Sequence, residues 1–354
     1  MDYKKELLEL ITIMIGQGAS DLHISALRHP TLRVSGELVP IVQKALLTPQ
    51  DSAGLVMELV PQNDKEAFLR EKDLDFSFTV SSGERFRCNA FFQKGMIGAA
   101  LRLIPSKVKS LDELSLPSSL KDFAFKEQGF FLVVGSVGQG KSTTLASMVQ
   151  IINTERAEHI ITIEDPIEYL FTEDKSIIDQ REVRFDTKDF KSGLRSMFRE
   201  DVNVAMIAEM RDAETIATAV TAAETGHLVL STLHTNNAAQ TIDRIIDSFP
   251  GESQAQIRMQ LSSSLVAIFS QRLIPRISGG LVPAYELMIN NSATANLIRE
   301  ARTNEVNLVI ETSAEQGMVS MNQSLAELVR RGEITVENAY KHSLNTQGLQ
   351  QRLT

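Results

Sequence analysis

With a single cysteine, Cys88, this chain of 354 residues cannot close an internal disulfide or build a thiolate-rich zinc site, so neither staples its fold. It has no apolar run approaching 18 residues, which excludes a membrane-spanning helix. The apolar opening at residues 7–15 follows Lys4 and Lys5 but is interrupted by Glu6 and Glu9, and no small-residue cleavage site follows. It reads as a buried N-terminal helix, not a signal sequence. A basic surplus is missing too. The 36 Lys and Arg face 45 Asp and Glu, a net charge of −9, which argues against a general nucleic-acid binder but leaves room for a local basic patch. Internal repeats and low-complexity tracts are absent. What the chain does have is 43% apolar residues, enough for normal cores, and a length that suits two domains.

Composition changes near residue 105. Before it, Leu74, Phe76, Phe78 and Val80 alternate with polar partners, and residues 81–84 read as a turn. Phe86, Cys88, Ala90 and Phe92 alternate again, and after Lys94-Gly95 so do Ile97, Ala99, Leu101 and Leu103. This meander has one apolar face and places Arg85, Arg87 and Arg102 on the other. An earlier hairpin is expected over 31–41 around Ser35-Gly36. Residues 105–117 turn polar and loop-like, as in a linker. The expected organisation is a domain at 1–104, a linker at 105–117 and a second domain at 118–354.

Residues 135–142 read Gly-Ser-Val-Gly-Gln-Gly-Lys-Ser directly after the apolar run 130–134. This is the phosphate-binding loop in its required strand-to-helix setting. Its glycines let successive N–H groups turn inward on phosphate oxygens, and the following helix adds its positive end. Gly135, Ser136, Val137, Gly138, Gln139, Gly140, Lys141, Ser142 and Thr143 are therefore candidate nucleotide contacts. Lys141 would reach the β- and γ-phosphates, and Ser142 would ligate Mg²⁺. The pattern predicts binding of a nucleoside triphosphate.

Strands are expected at 130–134, 160–163, 204–208 and 228–233, separated by helices such as 212–225. There Asp212 fits the N-cap and Gly226 the position past the end. Strands apolar on both faces and joined by helices imply a parallel sheet, whose ligands bind beyond the carboxyl ends. Three of those ends carry acids or a histidine: Glu164-Asp165 with Glu168 nearby, Glu209, and His234. Converging on one γ-phosphate, they would supply a carboxylate for water and ligands for Mg²⁺ or its water shell. Asp212 reads more simply as a helix cap. His227 begins its strand and, taken alone, reads as a satisfied core histidine. The remainder, from Thr241 onward, reads as mostly helical. On the segment 188–199, helical spacing puts Lys188, Lys191, Arg195 and Arg199 on one stripe. That stripe is either a solvated face or a contact with acidic surface on a neighbour.

ITIEDPIEYL (161–170), QREV (180–183), RED (199–201), EMRD (209–212) and AAETGHLVLSTLH (222–234) resemble the signature boxes of the secretion ATPase superfamily. They are most similar to those of the type IV pilus retraction ATPases, the twitching-motility PilT family. The resemblance runs over essentially the whole chain, from GASDLH (18–23) to Gln316-Gly317-Met318. It implies an N-terminal PAS-like α+β domain followed by a RecA-like ATPase domain with a mainly parallel sheet. It implies a homohexameric, Mg²⁺-dependent ATP-hydrolysing motor that withdraws pilin through an inner-membrane platform protein. Such a motor is cytoplasmic, docked peripherally at the inner membrane, and binds no nucleic acid.

By matching position, Glu164 falls in the family's acidic box and serves hydrolysis, and Glu209 matches the Walker B glutamate that serves catalysis and Mg²⁺. His227 and His234 fall in the histidine box. Arg85, Arg87 and Arg102 lie where arginines approach the nucleotide from the same or a neighbouring subunit. Residues 293–300 resemble the AIRNLIRE box required for retraction. Ser136, Val137 and Gln139 depart from the family's GPTGSGKS, Ala208 replaces a Gly, and Thr294 and Ala295 replace Ile and Arg. These departures keep open an accessory retraction paralogue. A pilus-assembly or type II secretion ATPase shares the boxes but carries a four-cysteine zinc motif, for which this chain lacks the residues.

Overall fold

Asp2 accepts a hydrogen bond from the Lys5 N–H and so opens the first helix, α1 (Tyr3–Gly16), whose buried stripe is Leu7, Leu10, Ile11 and Met14. The computed structural model describes residues 2–34, 36–105 and 107–353. It forms two units, Met1–Ser106 and Lys107–Thr354.

In the first unit α1 is followed by β1 (Asp21–Ser25), β2 (Thr31–Val34), β3 (Glu37–Pro40), α2 (Pro49–Leu59), α3 (Lys65–Glu71), β4 (Asp73–Thr79), β5 (Arg85–Gln93) and β6 (Met96–Ile104). The six strands form one antiparallel sheet in the order β3-β2-β1-β6-β5-β4. The expected hairpin spans β2 and β3; Ser35 in its turn lies outside the described residues. Between β5 and β6, Lys94 and Gly95 both have positive φ, the geometry a two-residue hairpin turn favours. Phe76, Phe86, Cys88, Ala90, Ala99 and Leu101 point into the core with the helices, and burial raises the Cys88 thiol's pKa and keeps it unreactive. On the opposite face the register lines up Arg33, Asp21, Arg102 and Arg87 across four strands. Arg102 Nε donates to Asp21 Oδ1 at 2.8 Å.

The second unit begins with a stretch without regular structure in which Leu111 and Leu116 are buried against Phe123, Phe131 and Val133. So these residues, expected as linker, contribute to this unit's core. Next come α4 (Leu120–Ala124), β7 (Gly129–Val134), α5 (Lys141–Glu155), β8 (His159–Glu164), β9 (Ile177–Glu182), α6 (Phe190–Met197), β10 (Val204–Ile207), α7 (Ala213–Glu224) and β11 (Leu228–Leu233). Asp212 caps α7 as expected, accepting from Thr215 N–H at 2.9 Å. On α6, Lys191 and Arg195 both pair with Glu214 at 2.5 and 2.6 Å, so the middle of the basic stripe has its acidic partner within this unit.

Beyond residue 241 the chain is mostly helical, as expected, but it also holds two strands that the sequence reading missed. After α8 (Ala238–Asp247) and α9 (Gly251–Ser264), two long strands, β12 (Leu265–Pro275) and β13 (Leu281–Ile289), precede α10 (Ser292–Arg299), α11 (Val306–Thr312), α12 (Met321–Arg330), α13 (Val336–His342) and α14 (Thr346–Leu353). The start of β12 is a continuous apolar run buried on both faces, and such runs lack the period-two signal that marks a half-exposed strand. The sheet has the order β13-β12-β7-β11-β10-β8-β9 and is parallel except for β13. Helices cover both faces, and every residue of β7, β10 and β11 is buried. Each large aliphatic side chain so buried contributes about 1.5–3 kcal/mol, which fixes the strand ends firmly enough to hold a site.

Candidate functional site

Four parallel strands, β7, β8, β10 and β11, end side by side, and each delivers a polar group of the same site. From β7 the chain enters the loop 135–140 before α5. Gly138 and Gly140 both have φ of +78°. A side chain at Gly135 would place its Cβ 2.5 Å from the Gln271 carbonyl, so only glycine fits there. Lys141 opens α5 almost fully buried, and its ammonium donates to the carbonyls of Gly135 at 2.9 Å and Ser136 at 3.0 Å. Burial lowers its pKa below the usual lysine value, partly countered by the charges of Glu209 and Glu168. Ser136 Oγ donates to Asn236 Oδ1 at 3.2 Å, Val137 is exposed, and Thr143 Oγ1 lies 2.9 Å from the Tyr169 hydroxyl.

The Lys141 ammonium also donates to His234 Nδ1 at 3.2 Å. An ammonium has no acceptor capacity, so Nδ1 accepts and the ring hydrogen sits on Nε2. That atom faces Glu209 Oε2 at 3.5 Å, while Arg211 grips Glu209 Oε1. A chain of contacts therefore runs Lys141–His234–Glu209–Arg211 across the ends of β7, β11 and β10. Nearby, Arg184 lies 3.6 Å from Asp165.

Glu164, at the end of β8, is only 4% exposed. Thr162 Oγ1 donates to its Oε1 at 2.7 Å, Gln180 Nε2 to the same oxygen at 3.3 Å, and the Glu168 N–H to Oε2 at 3.2 Å. Burial outweighs these bonds and pushes its carboxyl up to about 7. Glu164, Glu168 and Ser142 share the wall of a cleft of about 320 Å³ with Ala208 and Tyr169. The donors on hand, a serine hydroxyl and carboxylates, are hard oxygens that suit Mg²⁺. Among the described residues no group of three or more His, Cys, Asp or Glu converges on one point.

His227 is not brought to this site. It precedes β11 at the far end of the sheet, about 20 Å from His234 at the rise of a strand. There its Nδ1 contacts the Ala222 carbonyl at 3.0 Å and its ring meets Phe198 edge-on. The expected strand 228–233 already separates the two histidines in the sequence. Arg85, Arg87 and Arg102 belong to the sheet of the first unit; Arg87 and Arg102 stand on the strand row already described, and Arg85 is registered with Thr79 and Ile104 instead.

Two features escaped sequence reasoning. Gln271 on β12 braces the phosphate loop: its Nε2 donates to the Gln139 carbonyl at 2.8 Å, and its Oε1 accepts from Thr144 at 2.7 Å. Gln139 completes the brace by accepting from the Leu273 N–H at 2.7 Å. On the other side of the loop, Leu116, Leu273, Leu281 and Pro283 line a cleft of about 720 Å³ that opens onto Gly140 and Thr143. Leu273, Leu281 and Pro283 offer an apolar surface that suits a nucleotide base, and Lys109, Glu113 and Arg276 add charged groups to the same cleft. The signal for both was the strand 265–275, which the helical expectation hid.

The type II/IV secretion system protein model matches residues 4–348. The chain is 44% identical to the type IV pilus retractation ATPase PilT of Pseudomonas aeruginosa, over 94% of this chain and 97% of that one. It is 39% identical to the type IV pilus ATPase PilU of the same organism, over 96% and 88%. Its fold superimposes on the crystal structure of the pilus retraction motor PilT with bound ADP at a TM-score of 0.92 and 44% identity, covering 97% of this chain and 98% of that one. The chain belongs to the type II/IV secretion system protein family, whose members here include the PilT ATPases.

Proposed function

We propose that this chain is an ATP-hydrolysing motor that drives retraction of type IV pili. The observation that carries the chemistry is the meeting of Lys141, His234, Glu209 and Glu164 at one end of the parallel sheet. The assignment to retraction rests on its similarity to a retraction ATPase over nearly the full length of both chains.

The phosphates lie in the loop 135–140, with Lys141 at the β- and γ-oxygens and the base in the cleft beside Leu273 and Leu281. When bound, Mg²⁺ neutralises charge developing on the phosphates. Ser142 and Glu209 would hold it. Glu164, with a carboxyl near 7, is the group suited to orient and deprotonate the attacking water, since a base works best near the operating pH. His234 joins Lys141 to Glu209 and so ties phosphate position to the second carboxylate. His227 has no part in this reading.

In the same reading the chain acts as a homohexamer in the cytoplasm, docked at the inner membrane on a platform protein, and binds no nucleic acid. Among the described residues no helix is long and apolar enough to cross a membrane. Arg85, Arg87 and Arg102 supply cations to the nucleotide in the assembled ring. The excess of guanidinium over carboxylate along Arg33, Asp21, Arg102 and Arg87 supports this. The domains divide near residue 105, and the stretch expected as linker belongs with the second.

A second reading, an accessory retraction motor, draws support from Ala295. It sits within α10, where the resemblance expects an arginine. Deleting the gene in a piliated host separates the readings. Immobile cells with excess pili fit a main retraction motor, bald cells point to assembly, and weakened but persistent twitching fits the accessory role. Absence of phosphate release from purified protein with ATP and Mg²⁺ would remove the motor chemistry altogether.

A further inference from the structure

Glu209 has one negative charge and two oxygens, and both oxygens already face partners. Oε2 faces His234, whose ring hydrogen the Lys141 ammonium fixes on that side. Oε1 is held by the guanidinium of Arg211, two residues further along the same strand-end turn. Arg211 itself is loosely bound to the rest of the molecule. Its side chain is 66% exposed, and Glu209 is its one ion-pair partner among the described residues. An exposed guanidinium on a flexible stem can swing within its reach at little cost. A cation drawn toward Glu209 must either share this carboxylate with Arg211 or displace it.

We propose that Arg211 is a positioning residue that competes with Mg²⁺ for Glu209 and so sets how strongly nucleotide binding depends on the metal. The proposal rests on the nucleotide reading of this site. Two electrostatic consequences of Arg211 act in the same direction. Its positive charge beside Glu209 repels a divalent cation and offsets the carboxylate that attracts it. The same charge, joined through Glu209 and His234 to Lys141, attracts phosphates that arrive without metal. Arg211 therefore weakens metal-loaded binding and strengthens metal-free binding. A residue that merely shaped the loop would change both affinities alike.

The test is calorimetric titration of the full chain with ADP, in excess Mg²⁺ and in excess chelator, taking the ratio of the two affinities. For Arg211→Gln the preference for the metal-loaded form should rise by about five- to tenfold over the unaltered chain, a shift of roughly 1 kcal/mol. Arg211→Lys, which keeps the charge, should stay near the unaltered ratio. Arg195→Gln, which removes one of the two cations paired with the exposed Glu214 on α7 instead, should leave it unchanged. Arg211→Met provides a second neutral variant should the glutamine form new contacts of its own. A ratio unmoved in both neutral variants, or moved equally by Arg195→Gln, overturns the proposal. Failure of the unaltered chain to bind ADP under either condition overturns the nucleotide reading, and this inference with it.

Discussion

Glu164 and Glu209 end neighbouring strands of one sheet, yet their surroundings have little in common. Glu164 is buried, held by a hydroxyl, an amide N–H and a side-chain amide, all neutral. Glu209 stands at a rim, its side chain 19% exposed, between a guanidinium and an imidazole that leans on a lysine. Neutral donors do not supply a counter-charge, so burial dominates at Glu164 and drives its carboxyl toward neutrality. Cations do supply one, and Glu209 faces two of the side chains that line this rim, Arg211 and His234. Two carboxylates of one type thus acquire two roles from environment alone, the general arrangement by which enzymes divide acid-base work from charge stabilisation.

Several experiments would break or sharpen this contrast. The largest effect is expected from Glu209→Gln, which should still bind ATP, with a weaker dependence on Mg²⁺, and should cut phosphate release by about 10²- to 10⁴-fold. Lys141→Ala should instead weaken ATP binding by about 10- to 100-fold, because it removes a charge-assisted donor to phosphate. Filter binding and phosphate release on the same preparations separate the two. Normal turnover in both would dissolve the site.

A smaller effect concerns stability and isolates the buried acid. The folded Glu164 carboxyl titrates near 7 against an ordinary 4.5, so folding takes up a proton between those values. Stability then falls as pH rises across that window, since the unfolded chain binds fewer protons there. Glu164→Gln should flatten this slope in denaturant melts at pH 5, 6, 7 and 8. An unchanged slope would place the carboxyl in the ordinary range. The least effect is expected on the exposed side, at Asp212, which caps α7 just past Arg211. Asp212→Ala should cost about 1 kcal/mol of stability with little change in turnover. A loss of turnover by orders of magnitude would move Asp212 from cap to chemistry.

Much of this contrast was legible from the chain alone. The phosphate loop, the strands β7, β8, β10 and β11, and the acids at their ends follow from apolar runs and glycine spacing. The meander of the first unit follows from period-two alternation ending in turn residues. Illegible was the environment of each acid. Glu164 and Glu209 look alike as letters, and only tertiary contacts bring Gln180 to one and Arg211 and His234 to the other. The brace by Gln271 was hidden for a related reason. It sits on a strand buried on both faces, which carries no alternation to distinguish it from a buried helix. His227 shows the reverse error. The histidine box joins two residues in sequence that a whole strand separates in space.

The division of labour between the two acids is tested most directly by the pH dependence of single-turnover phosphate release. The unaltered chain should lose activity on the acid side with an apparent midpoint near 7, as Glu164 takes up its proton. The residual activity of Glu209→Gln should keep that limb, and the residual activity of Glu164→Gln should lack it. A limb that persists in Glu164→Gln and vanishes in Glu209→Gln would reverse the two roles and contradict the account.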